Sequence, residues 1–319
     1  MSRGFTALTA LALSLAVGAC AQTTSSQTPA TGAAPGAEKP GATTPGAAAP
    51  PATEAAAPAP KALIATSADG TKIAYEVAGK GPVLLLVHGG GQTRRSWNQS
   101  GYVDRLAKQF TVVTLDLRGT GDSDKPIAKD AYALDRMLED LIAVADAADA
   151  GQFHVWGFGH GGTIARYLPA RSDRVASAVL IGMTMGPAVT GVFKTGIEAM
   201  RAKWQPVIDA HTGGTLDVKS MPTSDRTAWE AGIAANVLLL TSMIDYPPLE
   251  PTEIKAPTLW AVGSDDSAVE NLKEYEAKLK GTQVTGRILS SVNYSDSFIK
   301  IDQIMETVEP FLKKSVPTT

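Results

Sequence analysis

Hydrophobic and polar positions divide the chain into three stretches. Residues 5–17, FTALTALALSLAV, form an almost continuous apolar run behind one positive residue, Arg3. From Ala21 to Lys61 there is no apolar period, and no Val, Leu, Ile, Met or aromatic residue. Beyond that point short apolar runs recur. Residues 72–79, KIAYEVAG, alternate like a half-exposed strand. Residues 82–91, PVLLLVHGGG, form an unbroken apolar run stopped by glycines, which predicts a strand buried on both faces. Residues 110–126, FTVVTLDLRGTGDSDKP, repeat that scheme. Leu134, Met137, Leu138, Leu141, Ile142 and Ala145 fall on one helical face and predict a helix over 133–148. A strand follows at 153–158, a helix at 162–170, strands at 174–183, 257–266 and 282–291, and a closing helix at 296–314. Strands alternating with helices predict an α/β fold, with a mostly parallel sheet, doubly wound and flanked by helices.

The first stretch is too short to span a membrane and ends in small residues, VGAC, Val17 to Cys20. This ending resembles the bacterial lipobox. The resemblance implies a lipoprotein signal peptide over 1–19 and lipidation of Cys20, the only cysteine, so no intramolecular disulfide is possible. Residues 20–61 read as an extended Ala/Pro/Gly/Thr tether, poor in the side chains that offset ordering entropy. The expected place is the bacterial cell envelope, with a lipid anchor in the membrane. Ala21, where an aspartate commonly marks inner-membrane retention, favours the outer membrane.

Composition narrows the chemistry of residues 62–319. With 44% hydrophobic residues the chain can bury one large core. The net charge of −3 and the scattered lysines and arginines argue against a nucleic-acid partner. Four histidines, one cysteine and no H-E-x-x-H or C-x-x-C pair predict no metal site, and no cofactor is expected.

Five short motifs, in order, carry a family resemblance. HGGG followed by RSW spans His88 to Trp97. LDLRGTGDSDKP spans 115–126. GFGHGG follows the strand at 153–158, and GSDD lies at 263–266. VEPFLKK opens the C-terminal end. Together they resemble the α/β-hydrolase family from about Leu63 to Lys314. The resemblance implies a helical lid at about 184–255. It also implies a triad in the chain order Ser, Asp or Glu, His, with the serine at the centre of a G-x-S-x-G elbow.

Two of the three catalytic parts are missing. The elbow reads Gly157, Phe158, Gly159, His160, Gly161, so Gly159 stands at the nucleophile position. No histidine follows His211, so the histidine region near Asn293, Tyr294 and Ser295 is vacant. Asp266, or its neighbour Asp265, holds the acid position. Glycine suits an elbow without chemistry, because the turn demands a positive φ that a side chain opposes. The oxyanion hole needs only backbone N–H groups, here those of His160 and Gly90. Tyr294 could fill the vacated space and donate to Asp266. His88, His154, Asp116 and Arg118 read as structural residues, and His211 as a solvated loop residue in the lid. His160 is divided between packing and a pocket contact. Two functions follow. One is a catalytically degenerate relative that binds a small apolar or ester-like ligand, or a partner. The other is a hydrolase or lyase acting through Asp266, His160 or Tyr294.

Overall fold

The runs that read as doubly buried strands lie side by side at the centre of one sheet. The structure, a computed structural model, describes residues 62–128 and 130–315. The predicted signal peptide, Cys20 and the tether lie outside the described residues. The eight strands are β1 (Leu63–Thr66), β2 (Lys72–Ala78), β3 (Val83–Val87), β4 (Thr111–Leu115), β5 (Phe153–Phe158), β6 (Val175–Ile181), β7 (Thr258–Gly263) and β8 (Val284–Leu289). They are ordered β1-β2-β4-β3-β5-β6-β7-β8. The first two pairings, β1 with β2 and β2 with β4, are antiparallel, and all the others are parallel.

Alternation along the central strands feeds two cores. On β3, Leu85 and Val87 face one layer while Leu84 and Leu86 face the other. Helices in chain order are α1 (Arg95–Gln99), α2 (Tyr102–Leu106), α3 (Leu134–Ala147), α4 (His160–Ala165), α5 (Leu168–Arg171), α6 (Gly191–Thr212), α7 (Thr223–Glu230), α8 (Ile233–Ser242), α9 (Val269–Tyr275), α10 (Asp296–Ile299) and α11 (Ile301–Ser315). The apolar face of α3 packs on the first layer; Trp97, Tyr102, Phe298 and Ile304, from α1, α2, α10 and α11, fill the second. Between β6 and β7 the chain leaves the sheet. Helices α6 to α8 form a cap whose Trp204, Ile208, Leu238 and Leu239 extend the first core.

Two predicted helices are broken. The helix expected over 162–170 is α4 and α5, interrupted at Arg166 and Tyr167. The closing helix stops at Ile299 and restarts at Ile301, because Lys300 leaves the helical region (φ −79°, ψ 61°). α4 needs glycine where it passes β3. A Cβ on Gly161 would collide with the carbonyl oxygens of Val87 and His88.

Candidate functional site

The central feature is the junction of β5 and α4. Phe158 ends the strand, His160 begins the helix, and Gly159 alone makes the turn, with φ 52° and ψ −115°. A residue with a side chain pays on the order of 1–3 kcal/mol for such a backbone, and glycine does not. Hydrogen bonds hold the turn on both sides. The Gly159 N–H donates to Ile181 O at 2.8 Å, and the Thr163 N–H donates to Gly159 O at 2.9 Å. The elbow keeps its geometry without its nucleophile.

Tyr294, in the loop after β8, occupies the place of that nucleophile. A Cβ on Gly159 would overlap the Tyr294 hydroxyl and lie 3.1 Å from its Cζ. The ring stacks at a tilt on Phe158, centroids 5.1 Å apart. The residue is 40% exposed; its outer edge meets solvent while its hydroxyl reaches inward. Burial, and then the nearby Asp266 carboxylate, push the phenol pKa up to about 12.

The expected hydrogen bond from Tyr294 to Asp266 does not form. Asp266 Oδ1 accepts from the Ala268 N–H at 2.9 Å, while Oδ2 is buried without a partner. The reason is reach: the phenol is long, and with no side chain at Gly159 its hydroxyl extends to the elbow. Of the two acid candidates, Asp266 faces inward and Asp265 is exposed. Burial raises the Asp266 pKa above the ordinary carboxylate value, opposed by the Ala268 N–H and the Ser267 hydroxyl. Asn293 serves α10, its Oδ1 accepting from the Asp296 N–H at 2.8 Å.

His160 and Gly90 are close neighbours. A Cβ on Gly90 would lie 3.9 Å from His160 Cβ, from His160 Nδ1 and from Cδ2 of Leu240 on α8. The cap therefore closes over this point. His160 is buried, and neither ring nitrogen has a partner. Burial, with a smaller contribution from His88, pulls its pKa down to about 3, so the ring is neutral. Leu240 was not singled out in the sequence; an apolar residue in an apolar helix carries no mark of which neighbour it meets.

The other histidines are structural. His88 Nε2 accepts from the Leu117 N–H at 3.2 Å, so Nδ1 carries the proton and donates to Gly89 O at 2.8 Å. His154 Nδ1 lies 2.8 Å from Ser177 Oγ, inside the sheet. His211, expected in a loop, lies in the last turn of α6, because the helix runs on to the Gly213–Gly214 pair; it is exposed and packs edge-on against Trp229 at 5.1 Å. Asp116 accepts from the backbone N–H of Arg94 and of Asp122 and is paired with the Arg94 guanidinium. Arg118 holds Asp140 with two bonds, of 2.7 and 2.6 Å, and Asp69 with two, of 2.8 and 3.4 Å. Both residues tie the loop after β4 to its surroundings. Among the described residues, no group of three or more His, Cys, Asp or Glu side chains is placed to hold a metal.

A family model described as the alpha/beta hydrolase fold matches residues 82–206, which include the H-G loop, the elbow and the start of the cap. The chain has the α/β-hydrolase fold. An uncharacterised protein of Mycobacterium tuberculosis is 42% identical over 91 residues, 28% of this chain and 26% of the relative. A soluble epoxide hydrolase of a Corynebacterium species is 34% identical over 129 residues, 40% of this chain and 42% of that enzyme. The chain thus matches less than half the length of either relative. The solved structure of a thermophilic esterase from Thermogutta terrifontis superposes with a TM-score of 0.61 at 20% identity, covering 80% of this chain and 99% of that one. At that identity the likeness is one of fold. The α/β-hydrolase fold of this chain carries a helical cap between β6 and β7.

Proposed function

We propose that this α/β-hydrolase-fold protein binds a small apolar or ester-like ligand, or a partner, beneath its cap without hydrolysing it. The observation that carries the reading is the elbow. Its backbone is set for a nucleophile, its residue is glycine, and the Tyr294 hydroxyl fills the place of the missing side chain. No histidine follows His211 in the sequence to serve as a base. The Val17–Cys20 ending and the tether support a lipid anchor at Cys20, holding the domain at an envelope membrane. Release of the protein from the membrane fraction by Cys20→Ser tests that part.

A second reading is an active hydrolase or lyase using non-standard groups. It draws on Asp266 and His160, buried groups with shifted pKa values beside the elbow, which is the signature of a working site. Relatives that are epoxide hydrolases keep this reading open. A panel of activated esters and epoxides, run beside a fluorophosphonate probe, separates the two. The binding reading expects no turnover and no labelled serine. Turnover of about 1 s⁻¹ or faster overturns it.

A further inference from the structure

Folding leaves three polar atoms beside the elbow without partners. They are Oδ2 of Asp266 and both ring nitrogens of His160. Each residue is only 6% exposed. An unpaired buried polar atom destabilises a fold, and most are satisfied by protein, by ordered water or by a bound molecule that takes the water's place.

The occupant of the seat indicates what fits it. Tyr294 brings a neutral hydroxyl on an apolar ring, lying on Phe158 and Gly182 and ending over Gly159. Because it is tethered at residue 294, its hydroxyl runs on to the elbow and leaves Asp266 Oδ2 unbonded. A free molecule has no such tether. The charged surroundings are one-sided. Asp266 acts on Tyr294, the Ala268 N–H and the Ser267 hydroxyl act on Asp266, and the second histidine, His88, acts on His160; no lysine or arginine acts on any of the three. A carboxylate head would face Asp266 with nothing to offset it. An ether or ester head has no proton to give to Oδ2. A cationic head would enter a place that already keeps an imidazole uncharged.

We propose that the seat of the Tyr294 ring takes a neutral, hydroxyl-headed apolar molecule, a phenol or an alcohol. It displaces the Tyr294 ring, donates its O–H to Asp266 Oδ2, and lays its apolar body on Phe158 along the track of the tyrosine. Leu240 and the neutral His160 close the cap side. This rests on the reading of the domain as a binder and narrows what it binds.

The test holds one body constant and changes the head. Binding of p-cresol, 4-methylanisole, p-toluate and 4-methylbenzylammonium to the purified domain is measured by calorimetry and ligand-observed NMR. p-Tolyl acetate is added to follow both binding and turnover. The expected result is p-cresol tightest, by about ten-fold over 4-methylanisole, the scale of one hydrogen bond to a carboxylate. Asp266→Ala should reduce that preference to within a few-fold. Tyr294→Ala should tighten p-cresol several-fold by removing the built-in competitor. The hydroxyl preference is overturned if the ether, toluate or ammonium binds as tightly as p-cresol, or if Tyr294→Ala weakens p-cresol; the binding reading then survives. If no member of the series binds the wild type or Tyr294→Ala, both fall. Hydrolysis of p-tolyl acetate removes the non-hydrolytic reading and leaves the ranking of heads to be judged separately.

Discussion

The loop after β4 and the elbow after β5 lie on neighbouring parts of one sheet, and both bury polar side chains. In the loop, partners are complete. Arg118 is fully buried against Asp140, and Arg94 reaches Asp116, Glu76 and Asp122. At the elbow, Asp266 Oδ2 and both nitrogens of His160 have none. A buried charge with all its partners fixes a backbone and leaves nothing to offer a ligand. A buried group without partners weakens the fold and leaves chemistry available. The contrast separates the scaffold from the site without any appeal to reactivity.

If that contrast is right, the two regions respond oppositely to mutation. The largest effect belongs to the loop. Arg118→Met strands Asp140 in the core and should cost about 3–5 kcal/mol in urea unfolding. A loss below 1 kcal/mol would mean that the network is ornamental.

Acid should next expose the elbow histidine. The His160 pKa falls from 6.5 to about 3 on folding, so the unfolded chain takes up the proton first. The native state therefore loses stability as pH drops below 6.5, by about 2 kcal/mol at pH 5 from this residue alone. His88, also depressed by burial, adds a loss in the same direction. In His160→Leu the stability curve between pH 6.5 and 5 should be flatter than in the wild type. An unchanged slope would show that His160 is not buried in neutral form.

Gly159→Ser comes third. Backbone strain of about 1–3 kcal/mol is joined by the collision with Tyr294. Combining it with Tyr294→Ala should restore the collision part and leave the strain, a coupling that a double-mutant cycle measures. Gly159→Ser alone should hydrolyse no ester. Gly159→Ser with Tyr294→His removes the obstructing phenol and adds a base beside Asp266. That pair is expected to exceed the single variant by about 10²-fold or more in p-nitrophenyl acetate cleavage.

The smallest effect is at the acid. Asp266→Asn keeps the bond from the Ala268 N–H and removes an incompletely paired carboxylate, so stability at pH 7 should change by less than about 1 kcal/mol, toward the stable side. The folded Asp266 pKa lies above its unfolded value, so wild-type stability declines as pH rises through that window. The variant should lack this component, and a large loss at pH 7 would contradict the absence of partners.

The sequence carried the scaffold better than the site. An unbroken apolar run such as VLLLV marks a strand buried on both faces, and FHVWGF reads the same way because its one polar residue, His154, is paired with Ser177 inside the sheet. The turn at Gly159 was legible because glycine is the residue that a positive φ selects. β1 went unread: LIAT is short, and Leu63 and Ile64 are exposed. The breaks at Arg166 and Lys300 were also hidden, since apolar spacing runs through both. The path of the Tyr294 hydroxyl was the least legible part. Its loop was read as the vacant histidine region and its hydroxyl as a donor to Asp266, but where the hydroxyl ends depends on how far β8 stands from β5, which is a property of the sheet and has no local signature.

The strand order has a consequence for how the molecule is made. β5 and its elbow lie at the centre of the sheet, while the loop bearing Tyr294 follows β8, at the sheet's edge and the last strand to be synthesised. Domains begin to assemble as the chain emerges. The elbow, the cap and Asp266 are all available before their tyrosine cover exists. A nascent chain halted between Asp266 and Tyr294 would carry the elbow, the cap and the acid without the ring that covers them.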